Sequence, residues 1–260
     1  MKKLKVLGLA AIAAGMFSLT SCLDGGGNTQ QLSSYAIVDY SSTMRTLIYP
    51  LGYYPLYLST VANDPTYSAG DCVLANFTVD FDSPENANAA TNGYLTATIS
   101  VADEITKGQP VFYNVPDSAS LLQNEIPVKN LFSNGDYGVY VDGYLFFFIT
   151  MDMFKDQKNS YTLYWDRSKE PTMVDNVPTY DLFLRVAKVA DGTGSAASSI
   201  GEVRAFNVKS VLESVNSAEA NKDSKSFNLK VNYLNTINEK DSTDLKWASY
   251  TVLFQVVKNS

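Results

Sequence analysis

The feature that most constrains this chain is a two-residue period of apolar side chains, repeated in one segment after another. In FNLKVNYL, Phe227, Leu229, Val231 and Tyr233 fall on one side and Asn228, Lys230 and Asn232 on the other. YDLFLRV aligns Tyr180, Leu182, Leu184 and Val186; ANFTVDFD sets Phe77, Val79 and Phe81 against Asn76, Thr78 and Asp80; YLTATISV aligns Leu95, Ala97, Ile99 and Val101. Successive side chains of a strand point to opposite faces, so this alternation predicts half-buried antiparallel strands. Connectors rich in Asn, Asp, Gly and Pro separate them, and Asp142-Gly143 between YGVYV and YLFFFIT predicts a tight hairpin turn. The fold class that follows is all-β. The only helical pattern is VKSVLESV, Val208 to Val215, a couple of turns between strands. Alternation breaks at TKGQP, which predicts a boundary between a small domain, 35–108, and a larger one, 110–260.

The N-terminus has a different pattern. Lys2, Lys3 and Lys5 precede the apolar run Val6 to Phe17 and a short segment of mostly small residues, Ser18 to Ser21. That is the layout of a signal peptide, residues 1–21, with an apolar region too short to span a bilayer comfortably. LTSC, Leu19 to Cys22, reads as a lipobox: cleavage between Ser21 and Cys22 leaves a cysteine whose thiol forms a thioether to a diacylglyceryl group. Two or more acyl chains suffice for stable attachment, so the lipid bilayer is the first expected partner. The run GGGNTQQLSS that follows is read as a flexible tether, 22–34 including the lipidated cysteine.

Composition removes several function classes. The formal charge is −7 at pH 7, and more negative still without the three leader lysines. Nucleic acid, which requires phosphate-neutralising Lys and Arg, is therefore not an expected partner. The chain has no histidine, which excludes Ser-His-Asp and Cys-His catalysis, and with Cys22 lipidated only Cys72 remains, a thiol expected to be buried and inert. No cofactor, metal or catalytic residue is assigned. DGTGSAA, Asp191 to Ala197, imitates a dinucleotide fingerprint, but the strand-like VRAFNV that follows offers no helix N-terminus for a pyrophosphate, so it is read as a loop. Asp80, Asp82 and Glu85 lack the order and glycine of a calcium loop and are read as solubilising residues.

The lipobox with its Gly-rich tether, the run AGDCVLANFTVDF, and the tail AFNVKSVLES, SFNLKVNYLNTI and ASYTVLFQV together resemble the NigD-like lipoproteins of Bacteroidetes over nearly the whole mature chain. The resemblance implies an N-terminal OB-like barrel followed by a C-terminal β-sandwich. It brings no catalytic set. It also implies a membrane-anchored cell-envelope protein, at the outer membrane, facing the periplasm or the cell surface.

The aromatic cluster YPLGYYPLYL, Tyr49 to Leu58, is the strongest recognition candidate, with Tyr53, Tyr54 and Tyr57 as ligand-binding residues. Tyrosine offers a flat apolar face and a hydroxyl, which suits stacking on sugars or packing at a protein interface. The opposing reading places alternate members of this cluster in the barrel core, as it does Trp165 and Trp247. The function expected is non-enzymatic binding of a glycan or an envelope protein. The alternatives are a glycan hydrolase with paired carboxylates and a bacteriocin immunity or envelope-protective protein.

Overall fold

The computed structural model describes residues 28–131, 140–238 and 241–257. The leader, Ser21 and Cys22 lie outside the described residues. The chain divides into two compact units at Lys107/Gly108, with residues 140–142 returning to the first.

The first unit contains β1 (Thr29–Tyr40), β2 (Thr46–Pro50), β3 (Leu56–Tyr57), β4 (Cys72–Asp80), β5 (Leu95–Thr96) and β6 (Thr98–Glu104), with one-turn helices α1 (Ser59–Ala62) and α2 (Ala89–Asn92). The hydrogen-bonded order is β5-β3-β2-β1-β4-β6. The two ends of that order are consecutive in the chain, separated only by Ala97, whose N–H donates to the Tyr57 carbonyl at 3.0 Å. Segment 95–104 therefore meets β3 in parallel and then β4 antiparallel. Counted as one strand, it gives the five-stranded, partly open barrel of an OB fold. Inside lie Ala36, Val38, Ile48, Leu56, Leu58, Phe77 and Val79, all buried, with Leu95, Ala97 and Ile99 packed against them.

Three expectations change here. Residues 29–34, assigned to the tether, form the first half of β1 and pair with β4 from Thr29↔Asp80 onward. Their polar side chains read locally as coil, but the partner that makes them a strand lies over 40 residues away in sequence. Phe81 lies beyond the end of β4 and is exposed. Leu95 to Val101 is two strands, split at Ala97 where the pairing changes sides. Cys72 is fully buried.

The short strands β7 (Lys107–Gly108) and β8 (Tyr140–Val141) lie where the chain passes between units. The second unit contains β9 (Tyr144–Lys155), β10 (Lys158–Trp165), β11 (Thr172–Val174), β12 (Val177–Ala190), β13 (Thr193–Asn207), α3 (Lys209–Asn221), β14 (Ser226–Asn238) and β15 (Asp241–Gln255). Asp142 and Gly143, with φ of 41° and 88°, make the predicted tight turn into β9. One sheet is ordered β10-β12-β14-β15 with β11 on β12; the other is built on the β9–β13 pair. Tyr161 and Asn159 of β10 reach Met151 and Met153 of β9, and Tyr161 also donates to Glu202 of β13, so the sheets stack as a β-sandwich. Burial, then the bond to Glu202, pushes the Tyr161 phenol well above its ordinary pKa. At Gly201 the Phe148 ring occupies the space a Cβ would need, so any side chain there displaces the ring.

β12 and β14 are parallel neighbours, which requires a crossover. The chain makes it through β13 and α3, a helix of 13 residues, longer than the couple of turns expected from VKSVLESV. Val211, Leu212 and Val215 carry the apolar face; the polar C-terminal half is held by Glu219, which accepts from Tyr180, Ser224 and Lys222 at 2.5, 2.6 and 3.1 Å. Burial raises the Glu219 pKa, but these three bonds outweigh it and hold the carboxyl below its usual range. Of the expected loop at Asp191 to Ala197, only Asp191 and Gly192 lie outside a strand; Thr193 onward is the start of β13, with a register break between Thr193 and Ser198. A strand, not a helix, follows the glycines, so no pyrophosphate cradle forms.

Residues 118–125 form a strap over Arg185 and Trp247 on the larger sheet, and the residues flanking them pair with strand backbones of both sheets. Val111 bonds Leu163 and Trp165, Ile126 bonds Val186, and Val128 bonds Leu234 through their backbones. Beneath the strap lies Arg185, which alternates with the buried Leu184 and Val186 on β12 and is itself 1% exposed. Its Nε and Nη2 donate to the two carboxylate oxygens of Glu125, and Nη2 also reaches the Ser120 carbonyl at 2.7 Å. The Trp247 ring lies 5.1 Å from the guanidinium carbon, and Trp247 donates to the Ser118 carbonyl at 3.1 Å.

Candidate functional site

The first unit presents its aromatic cluster at one end of the barrel. Segment 41–45, between β1 and β2, supplies Arg45; β3 supplies Tyr57; the long connection 81–94 between β4 and β5 supplies Tyr94. The Arg45 guanidinium carbon lies 4.9 Å from the Tyr57 ring centre and 5.1 Å from that of Tyr94. The two rings are 5.8 Å apart and inclined by 53°. Arg45 Nη1 donates to the Tyr94 hydroxyl. The cation is thus held against two ring faces with one of its nitrogens fixed.

The connection carrying Tyr94 is pinned from inside. Asn86 is buried; its Nδ2 donates to the Asp80 carbonyl at 2.7 Å and the Thr96 carbonyl at 3.0 Å, while its Oδ1 accepts from the Thr96 N–H at 2.7 Å. Every polar atom of that amide has a partner, so the loop has little freedom to slide. Asp82 accepts from the Asn28 N–H, and Asp80 from the N–H of Asp82, so these two acids brace the same loop. Among the described residues no group of three or more His, Cys, Asp or Glu is arranged to hold a metal ion.

The three tyrosines singled out from sequence take different positions. Tyr57 is half-buried and joins Arg45 and Tyr94. Tyr54 is 44% exposed, and its hydroxyl reaches the Ala89 carbonyl in segment 81–94 at 3.4 Å. Tyr53 is 41% exposed but sets its ring edge-on to the core residue Phe77 at 6.0 Å. The core reading holds for Leu56 and Leu58, which are buried, and for Trp165, also buried; Trp247 is half-buried beside Phe183.

Arg45 and Tyr94 escape sequence reasoning because neither stands in a motif. A weak signal exists: the chain has only four arginines, 45, 167, 185 and 204, and each lies over at least one aromatic ring. Arg185 and Arg204 spend their donors on neighbouring carboxylates and carbonyls. Arg45 and Arg167 are exposed, and Arg167, over Phe112 at 3.8 Å, is flanked in sequence by Asp166 and by Glu170. In OB folds the face of strands 2 and 3 and the loops 1–2 and 4–5 form the usual ligand-binding surface, and Arg45, Tyr57 and Tyr94 occupy those positions.

The model of the lipoprotein OB domain matches residues 26–103. Among solved structures, an uncharacterized protein from Parabacteroides merdae is 39% identical, with a TM-score of 0.73, covering 87% of this chain and 100% of that one. A proposed lipoprotein from Bacteroides fragilis shares the fold at 12% identity and a TM-score of 0.57, covering 89% and 100%. A NigD-like immunity protein from Bacteroides caccae is 13% identical with a TM-score of 0.49, covering 84% and 91%. No curated protein matches the chain in sequence. With 39% identity across the whole of one relative, the chain belongs to the same family as that Parabacteroides merdae protein, and it carries the lipoprotein OB domain at its N-terminal end.

Proposed function

We propose that this protein is a non-enzymatic lipoprotein of the cell envelope, anchored through Cys22, that binds an external ligand at the Arg45–Tyr57–Tyr94 end of its OB unit. The supporting observation is the convergence of one cation and two phenol rings from three separate elements, on the surface that OB-type barrels use for ligands. Surface aromatics and arginine dominate binding energy wherever they anchor a partner, because they bring large area with little side-chain entropy. A glycan or an envelope protein is the ligand such a surface fits.

Anchoring has its own test. Metabolic labelling with a clickable fatty acid should mark the wild-type protein and leave Cys22→Ala unmarked. Label that survives the substitution would remove the anchor.

For the site, a glycan array probed with the wild-type protein, followed by titration of Tyr57→Ala and Tyr94→Ala, should show binding weakened by about ten- to a hundredfold in each variant, from losses of about 1.5–3 kcal/mol. Both tyrosines are half-buried at the barrel rim, so thermal melts should change little. Tyr53→Ala, which uncovers one edge of Phe77, is expected to cost stability instead. Variants at Tyr57 and Tyr94 that bind like wild type would place recognition elsewhere.

A further inference from the structure

The ligand class can be narrowed by what Arg45 has left to donate. A guanidinium carries five N–H donors in a planar fork. Nη1 is turned toward the Tyr94 hydroxyl, and the guanidinium rests against Tyr57 and Tyr94. Among the described residues the Nε–Nη2 edge has no hydrogen-bond acceptor, and Arg45 is exposed. That edge is one of the two that pair with a carboxylate through parallel N–H···O bonds, and its direction is set by the rings and by the Tyr94 bond. Tyr54, tied by its hydroxyl to the same 81–94 segment, adds an exposed phenol face.

The charge of the whole chain selects among anions. At −7 it opposes a dense polyanion, so nucleic acid or a polyphosphate would be repelled over most of the surface. A ligand with isolated single charges meets the favourable spot at Arg45 without that opposition. Aromatic faces beside a carboxylate fork match a sugar ring that carries a carboxyl group: the C–H face of the sugar packs on phenol and its carboxylate takes the fork.

We propose that the site recognises an acidic glycan, through the carboxylate of a uronic-acid residue paired with the Nε–Nη2 edge of Arg45. This rests on the reading of Arg45, Tyr57 and Tyr94 as the recognition surface.

The test titrates the full-length protein, in detergent, with a galactose oligomer that carries a single terminal galacturonic-acid residue, the matching neutral galactose oligomer and an acidic peptide. The acidic oligomer is expected to bind about tenfold or more tightly than the neutral one, the advantage of a charge-assisted, two-bond contact. Arg45→Gln should erase that preference. Arg45→Lys should restore only part of it, because an ammonium cannot form the planar pair. The neutral oligomer should lose less affinity than the acidic one in Arg45→Gln, so the ratio of the two affinities reports the carboxylate contact. Equal binding of both oligomers, lost in Tyr57→Ala, would overturn the acidic class while leaving the site intact. An acidic preference that survives in Arg45→Gln would overturn the role of Arg45. Binding of the peptide alone would overturn the glycan, and binding of none of the three probes would overturn the glycan class at this surface altogether.

Discussion

Replacing Glu125 by alanine is expected to destabilise the second unit by about 3–5 kcal/mol, the usual cost of breaking a buried ion pair from one side. Both side chains are almost fully excluded from solvent, at 1% for Arg185 and 0% for Glu125. Glu125 takes two donors of Arg185, and its Oε2 also accepts the Leu122 N–H at 2.8 Å, so it closes the turn of the strap that covers the guanidinium. Alanine would leave a buried cation whose Nη1 already has no protein acceptor. The double variant Glu125→Leu with Arg185→Met should recover most of the loss, because well-packed apolar groups replace a buried pair at little cost. Denaturant unfolding of the three variants measures both effects. Glu125→Ala with wild-type stability would mean that the strap is not held by this pair.

The second large effect is expected at Phe77→Ala, a loss of about 3–5 kcal/mol in the first unit. Phe77 is 1% exposed at the middle of the barrel core, between Ala75 and Val79 on the inner face of β4. Cutting it back leaves a cavity that the surrounding strands, fixed by their ladders, cannot close. The two substitutions together report on domain organisation. If each unit folds on its own core, calorimetry should resolve two transitions, with Phe77→Ala lowering one and Glu125→Ala the other. A single transition moved by both would show one cooperative block.

How much of this was legible in the sequence depended on distance along the chain. The alternation in β4, β12 and β14 is local, and the residues placed inward from it are buried: Phe77 and Val79, Leu182 and Leu184, Leu229 and Val231. The all-β class and the OB barrel followed by a sandwich, read from the pattern and the family likeness, stand. Burial on a second face was not legible. Arg185 reads as the polar member of an alternating strand, and only a strap whose glutamate lies 60 residues earlier makes it a core residue. The first half of β1 is illegible for the same reason, since Gln30 to Ser34 have no apolar period of their own and become strand by pairing with β4.

The candidate site divides in the same way. Tyr57 was readable because aromatic residues cluster around it. Arg45 lies 49 residues from Tyr94, and neither has a neighbour that announces a partnership. Their meeting is a property of the barrel, which brings the 1–2 and 4–5 connections to one rim.

β1 has one more consequence, a mechanical one. Twelve residues long, it spans roughly 35 Å at the rise of an extended strand. Its N-terminal end follows the cysteine proposed as the anchor within a few residues, and its far end leads through 41–45 to Arg45. In a protein held by that cysteine, the share of a tug on the ligand that enters at Arg45 would run to the lipid along the covalent backbone of a single strand. That share would bypass the ladders that join this strand to its neighbours, while the share entering at Tyr57 and Tyr94 would cross them.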